Sequence, residues 1–276
     1  KGLVKELLLN NVKVKVLHST KTPEIDELVA LFPEYGEIKT IKQGIKSHLE
    51  NVIKACDIIV YDPKHSDAVT EMKLHLDAIK KVGHKSKHFV YIRPGEASQS
   101  FDCKTELQAT DALIKSGVNH VILTYPGMYE WLSSFAAPHV QMQRTFYYPL
   151  PKNLQISWLS SRDVVNSLTS IIGNIDKYSN KVVRITGPDL ISGPEICKSI
   201  AQSVSDDVDF KATKDKKESC DFFVGCGFPE KLAVEISAKY YSPGFTSDVN
   251  SNVKSLSGYD PQTISCWIEE NAHMFL

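Results

Sequence analysis

The chain has 276 residues and is 42% hydrophobic, enough to bury a full core as one large domain or a domain with an appendage. Its 32 basic and 33 acidic side chains leave a formal charge of −1, which excludes an electrostatic footprint for nucleic acid or an anionic membrane and points to small molecules or proteins as partners. No apolar run approaches the roughly 18 residues of a membrane span, and no charged leader precedes one, so a soluble globular protein is expected.

Residues 1–11 read as a helix that feeds directly into a strand at 12–17, with no strand and no glycine-rich turn ahead of it. In a nucleotide-binding α/β unit the strand before such a helix lies mid-sheet, and the turn between them holds the pyrophosphate at the helix N-terminus. The expectation is therefore a βαβ unit whose first strand and Gly-rich turn are not in this sequence, the start having been processed or the true N-terminus omitted.

Short apolar runs at 12–17, 37–41, 57–61, 88–92 and 119–124 then alternate with helical patterns at 22–32, 47–55, 66–82 and 104–116. In the third of these helices Val69, Met72, Leu76 and Ile79 recur at spacings of three and four, as an amphipathic crossover helix requires. Such alternation predicts an α/β fold with a parallel sheet. Gly83 and Gly117 follow two of the helices, where the chain needs a left-handed residue.

After Pro149-Leu150-Pro151 the rhythm changes, with a strand predicted at 154–159, a helix at 162–172 and a strand at 181–186. Ser192-Gly193-Pro194-Glu195 is a capping box with an early proline, and starts a helix over 194–204. The lysine-rich stretch 211–218 reads as a solvated loop, and amphipathic helices are predicted at 229–241 and 261–275. The division this suggests is a nucleotide-binding-type domain, 1–150, and a C-terminal substrate-type lobe, 151–276, partly contributing to the same sheet.

Cys56, Cys103, Cys197, Cys220, Cys226 and Cys266 form no CxxC pair, and Cys220 and Cys226 lack the spacing of a zinc site. Reduced thiols, no disulfide framework and no metal are expected, as in an intracellular, cytoplasmic protein.

Several blocks together resemble the NmrA-like group of atypical short-chain dehydrogenases, which includes NAD(P)H-sensing regulators and quinone reductases. They are the helix-strand opening, His88-Phe89-Val90-Tyr91-Ile92, the stretch 119–127 with Pro126-Gly127, the stretch 156–165, Arg184-Ile185-Thr186-Gly187-Pro188, Gly227-Phe228-Pro229-Glu230-Lys231-Leu232 and Trp267-Ile268-Glu269-Glu270-Asn271-Ala272. The resemblance runs over nearly the whole chain. It implies a Rossmann-like parallel sheet with helices on both faces, a small C-terminal α/β lobe, and NADP or NAD as cofactor.

Carried over residue by residue, the resemblance is uneven. Of the G-x-x-G-x-x-G turn only Gly2 could represent any part, and it falls inside the first helix. Ser19 stands at the position of the arginine that grips the 2′-phosphate, with His18 and Lys21 as the nearby cations, and Gln43-Gly44-Ile45 replaces the Gly-Asp that meets adenine. Pro63 falls in the cofactor groove, beside Asp62, which reads as a turn residue. Arg93 stands where a small polar residue is expected and, with a pKa above about 12, cannot be a general acid.

Eleven positions before Gly117, where the family has a lysine or histidine facing nicotinamide and substrate, is Glu106, with Lys104 two residues earlier. The candidate cofactor contacts are thus His18, Ser19, Lys21, Pro63, Arg93, Pro126 and Gly127, and the catalytic candidates Lys104 and Glu106. Tyr125, Tyr129 and Trp131 are pocket candidates, and the charge of Glu130 suits neither a quinone nor a phosphate. These departures predict that the dinucleotide is bound weakly or not at all, in a non-catalytic protein with a binding, regulatory or structural role, including that of a subunit in a larger assembly. The alternative is an NAD(P)H-dependent oxidoreductase acting on a quinone or other small carbonyl substrate.

Overall fold

The computed structural model describes residues 1–18, 23–40, 46–62, 68–83, 87–95 and 103–276. Helix α1 (Gly2–Leu9) runs into β1 (Val14–His18), and the alternation continues through α2 (Pro23–Ala30), β2 (Gly36–Thr40), α3 (Lys46–Lys54), β3 (Ile58–Tyr61), α4 (Ala68–Val82), β4 (His88–Pro94), α5 (Lys104–Lys115) and β5 (Asn119–Tyr125). This is the order that the periodicity predicts. Gly83 and Gly117 take φ of 93° and 74°, the left-handed conformation that ends α4 and α5 cheaply only with glycine.

The rest of the chain forms α6 (Trp131–Phe135), α7 (Ala137–Gln143), β6 (Thr145–Tyr148), α8 (Ser161–Gly173), α9 (Ile175–Tyr178), β7 (Lys181–Arg184), α10 (Gly193–Val204), β8 (Asp209–Ala212), α11 (Lys216–Gly225), α12 (Glu230–Tyr240), α13 (Asn252–Ser257), α14 (Ile264–Glu270) and a closing 3-10 turn, Ala272–Met274. The capping box at α10 forms as expected: the Ser192 N–H donates to Glu195 Oε2 at 2.8 Å and its hydroxyl to the same oxygen at 2.6 Å. Those bonds hold the Glu195 carboxyl below its ordinary pKa.

Three expectations for this half are corrected. Residues 154–159 form no strand, because Ile156 bridges antiparallel to Ile191 while Leu159 bridges parallel to Met128, and single bridges to different partners build no ladder. The stretch 211–218 is not a loop. Lys211 lies in β8, and Asp215 caps α11 by accepting from Glu218 N at 2.8 Å while Glu218 Oε2 accepts from Lys214 N at 2.8 Å. The predicted helix at 261–275 is the shorter α14 followed by the 3-10 turn.

The strands form a two-stranded sheet β1-β2, a four-stranded sheet β3-β4-β5-β7 and a two-stranded sheet β6-β8. Pairing is parallel between β1 and β2, between β3 and β4 and between β6 and β8. The chain passes repeatedly between two compact units, residues 1–93, 108–123 and 165–183 in the first and 94–107, 124–164 and 184–276 in the second. In the first, Met72 and Ile79 of α4 pack with Phe89 and Tyr91 of β4 and with Leu113 and Ile122, all buried. In the second, Trp158, Tyr148, Phe146, Ile200 and Trp267 anchor a larger aromatic core. Truncating a ring such as Phe89, which is fully enclosed, costs about 3–5 kcal/mol in sites of this kind.

Candidate functional site

In open α/β sheets ligands bind outside the carboxyl ends of the strands. Of the residues expected there, Ser19, Lys21 and Pro63, with Gln43-Gly44-Ile45, lie outside the described residues. His18 ends β1, its backbone in register with Thr40 of β2. Arg93, next to last in β4, is 1% exposed. A guanidinium so enclosed is a fixed part of the interior, since burying a charge is tolerated only where partners compensate it.

Beside it in the first unit is a compact polar-aromatic group. Tyr61 and Tyr91 are in register on β3 and β4 and stack at 5.9 Å and 19°. The Tyr61 hydroxyl donates to Glu71 Oε2, in the first turn of α4, at 2.6 Å. His75, one turn on, lies with its ring 4.7 Å from Tyr61 and its Nδ1 2.7 Å from the Glu71 carbonyl. A carbonyl only accepts, so Nδ1 carries the proton. Burial, helped by the bond to Glu71, pushes the Tyr61 phenol well above its ordinary value, and burial pulls the His75 imidazole down.

The remaining candidates lie in the second unit. Lys104 opens α5 exposed to solvent, whereas Glu106 is 6% exposed. Burial pushes the neighbouring Cys103 thiol up to about 12, with the carboxylates of Glu106 and Glu235 adding to the effect and Lys239 opposing it. Glu235 and Lys239 stand one turn apart on α12, so the start of α5 is packed against that helix.

Pro126 and Gly127 are buried in the turn after β5. The Gly127 carbonyl accepts from Leu159 N at 3.1 Å, and Tyr129 N donates to the Leu159 carbonyl at 2.9 Å. A Cβ at Gly127 would come 2.6 Å from Cε3 and Cζ3 of Trp158. The glycine is thus required by an indole, independently of any cofactor. Tyr125 is 6% exposed and Tyr129 fully buried; the Tyr129 hydroxyl donates to the Gln262 carbonyl at 3.1 Å and its ring lies 5.9 Å from Trp267. Trp131 is half-buried, edge-on to Trp158 at 6.1 Å. Glu130 Oε1 accepts from Ser161 N at 2.8 Å and so caps α8.

Sequence reasoning missed Asp163 and Gln262. Asp163 is 2% exposed, its Oδ2 accepts from Gln262 N at 3.0 Å, and Gln262 Nε2 donates to Glu270 Oε2 at 2.8 Å. Burial raises the Asp163 carboxyl above its ordinary value, against the pull of bonds from Gln262 and Ser160. The only signal in the chain was an acid in the first turn of a predicted helix, which ordinarily means an exposed residue. Of the described candidates, Arg93 is enclosed in the first unit, and in the second the Pro126–Gly127 turn packs against Trp158. Among the described residues, no group of His, Cys, Asp and Glu side chains could hold a metal ion, and no helix is long and apolar enough to cross a membrane.

The alternating strands and helices define a protein of the Rossmann-like α/β class. No protein-family profile matches the chain. It is 36% identical over 86 residues to the photosystem II assembly factor Ycf39 of Cyanidium caldarium, covering 30% of this chain and 28% of that protein. It is 24% identical over 156 residues to an NAD(P)H azoreductase of Xenophilus azovorans, covering 54% and 52%. The chain thus spans about half or less of the length of these curated relatives. Its structure superimposes on that of an NADPH-dependent quinone oxidoreductase complexed with NADPH from Escherichia coli with a TM-score of 0.79, at 14% identity, over 100% of this chain and 95% of that one. With NmrA, a negative transcriptional regulator in complex with NADP, the TM-score is 0.70 at 13% identity, over 98% and 90%. The fold is thus shared with these two solved structures, the quinone oxidoreductase and NmrA.

Proposed function

We propose that this chain is an NmrA-like protein that binds without catalysing, a regulatory or structural subunit in which hydride transfer has been lost and dinucleotide affinity is weak or absent. The observation that supports this best is Glu106, a carboxylate 6% exposed at the position where the resemblance expects the lysine or histidine that meets nicotinamide and substrate. Reducing a quinone or carbonyl builds negative charge on oxygen, which cationic or hydrogen-bond-donating groups stabilise. A carboxylate there has the wrong sign. The burial of Arg93 and the closure of Gly127 by Trp158 support the same reading at the cofactor.

The second reading, an NAD(P)H-dependent oxidoreductase acting on a quinone or other small carbonyl substrate, draws on the likeness to proteins with that chemistry in their names and on Lys104, which is exposed. Calorimetric titration of the chain with NADPH and NADH, followed by turnover assays with a quinone, separates the two. Dissociation constants of about 1 mM or weaker, roughly −4 kcal/mol or less of binding, and no oxidation of either nucleotide are expected. Micromolar affinity together with quinone-dependent oxidation would overturn the proposal in favour of the enzyme.

A further inference from the structure

The second unit also carries a half-exposed aromatic platform with a cation fixed on it. Tyr147 of β6 and Lys211 of β8 are register partners, so their side chains leave the same face of that two-stranded sheet. The Lys211 ammonium donates to the Tyr147 hydroxyl at 3.4 Å and lies 5.2 Å from the centre of its ring. The ring of His139, on α7, stands 4.9 Å from that of Tyr147 and 5.7 Å from that of Phe222, on α11. His139 is itself held, because its Nδ1 lies 3.0 Å from the Phe135 carbonyl, which only accepts and so places the proton on that nitrogen. Met142, three residues further along α7 and therefore on the same helix face, is exposed.

The charges beside this platform are unevenly engaged. Lys211, Lys214 and Lys216 are exposed, and among the described residues none of the three pairs with a carboxylate. The acids of the same stretch are occupied: Asp215 and Glu218 accept from backbone N–H groups at the start of α11, Asp221 pairs with Lys217 at 2.5 Å, and Asp206 with Arg144 at 3.1 Å. Asp207 and Asp209, before and at the start of β8, are the exposed acids left over, at the opposite end of that strand from Lys214 and Lys216. A lysine already fixed on a tyrosine gives up little side-chain freedom on binding, which is what an interface anchor requires.

We propose that this face of α7, β6-β8 and α11 is a docking surface for an acidic segment of a partner polypeptide that also carries an apolar side chain. A carboxylate of the segment meets Lys211 and the Tyr147 hydroxyl, and the apolar side chain packs on Met142 and Phe222. This rests on the reading of the chain as a binding protein and names the chemistry of its partner. The occupant follows from charge complementarity. A carboxylate accepts from an ammonium and a phenol alike, so it matches the two groups that Lys211 and Tyr147 present together. The thioether of Met142, unbranched and polarizable, accommodates apolar side chains of different shapes. A polynucleotide instead needs a run of cations along its phosphates, whereas the chain carries a formal charge of −1 and Asp207 and Asp209 flank the platform.

The test uses the full chain and a short fluorescein-labelled peptide in which Phe and Leu are flanked by Glu. Saturable binding is expected at low salt, with a dissociation constant of about 100 μM or below and with slowed amide exchange confined to α7, β6, β8 and α11. A peptide with Gln in place of every Glu, which needs no variant of the protein, should bind at least about tenfold more weakly. Lys211→Glu, a change at an exposed residue, should weaken binding of the acidic peptide at least about tenfold, and Lys211→Arg, which keeps the charge, should stay within about threefold. Met142→Ser should cost roughly three- to tenfold through lost apolar contact. Absence of saturation up to about 1 mM peptide, equal binding of the Gln peptide, undiminished binding to Lys211→Glu, or protection in other elements would each overturn the proposal. So would two other occupants: a single-stranded oligothymidylate that binds more tightly than the peptide and is lost in Lys211→Glu, or self-association of the isolated chain that the same substitution abolishes. None of these readouts involves a dinucleotide or turnover, so failure here is distinct from failure of the non-catalytic reading.

Discussion

Gly127→Ala separates a packing glycine from a cofactor glycine. The added Cβ would sit 2.6 Å from Cε3 and Cζ3 of Trp158, about 1 Å inside ordinary carbon–carbon contact. Trp158 is itself 1% exposed, so the ring has nowhere to retreat without displacing its neighbours. Overpacking of this kind costs about 1–3 kcal/mol. With an unfolding entropy of about 2.1 cal/mol/K per residue, the 276 residues give about 0.58 kcal/mol/K and a fall in Tm of about 2–5 °C. Melting followed by far-UV circular dichroism on the nucleotide-free protein measures it. Trp158→Leu is destabilising in its own right, by an amount on the order of 3 kcal/mol, but it removes the clashing ring. In that background Gly127→Ala should cost less than about 0.5 kcal/mol, leaving a coupling of about 0.5–3 kcal/mol in the double-mutant cycle. Additive effects, or an unchanged Tm for Gly127→Ala alone, would refute the packing account and return Gly127 to the cofactor.

Gly187→Ala should be far more severe, because its Cβ would fall 1.7 Å from the Trp158 carbonyl oxygen, a backbone atom that cannot rotate away. A loss above about 4 kcal/mol, visible as insoluble or unfolded protein on expression, is expected, and a folded variant melting near wild type would contradict the geometry. Asp163→Asn tests the buried carboxyl through pH. Because burial raises its pKa in the folded state, the folded protein holds more protons than the unfolded chain between the ordinary aspartate value, about 3.9, and the raised one. Stability from this group therefore falls as pH rises through that window and is level above it. The urea midpoint of wild type should fall with rising pH relative to that of Asp163→Asn, whose amide oxygen can still accept from Gln262 N; parallel profiles would show that Asp163 ionises no differently in the folded state.

The fold was legible where a single chemical signal sets it. The spacing of Val69, Met72, Leu76 and Ile79 marked α4, Gly83 and Gly117 marked helix ends, and Ser192 with Glu195 marked the start of α10. It was misread where local composition and tertiary demand disagree. Lys211, Lys214, Lys216 and Lys217 are all exposed, so their solvation was inferred correctly, but solvation does not distinguish a loop from the outer face of β8 and α11. The signal that would have corrected it was present, since Asp215 and Glu218 stand three apart as in a capping box. Thr145–Tyr148 went unread because its pairing partner, Asp209–Ala212, is far away in sequence. The site was less legible still. Nothing in the sequence distinguishes a solvent-facing Asp163 from one buried against Gln262, because burial is decided by residues roughly a hundred positions away.

The turn after β5 shows how a residue that matches the resemblance can answer to the fold alone. Gly127 makes room for Trp158, Tyr129 holds the Gln262 carbonyl, and Glu130 caps α8 through Ser161. Each of these duties would persist if no nucleotide were ever bound, because each satisfies a steric or hydrogen-bonding demand of the second unit itself. Matching residues at this turn therefore report on the fold. The positions at which the sequence departs from the resemblance are others: Ser19 in place of an arginine, Gln43-Gly44-Ile45 in place of a Gly-Asp pair, and Glu106 in place of a cation. Matches at the turn and departures elsewhere are therefore separate observations, since a residue that packs the fold and a residue that contacts a substrate answer to different physical constraints.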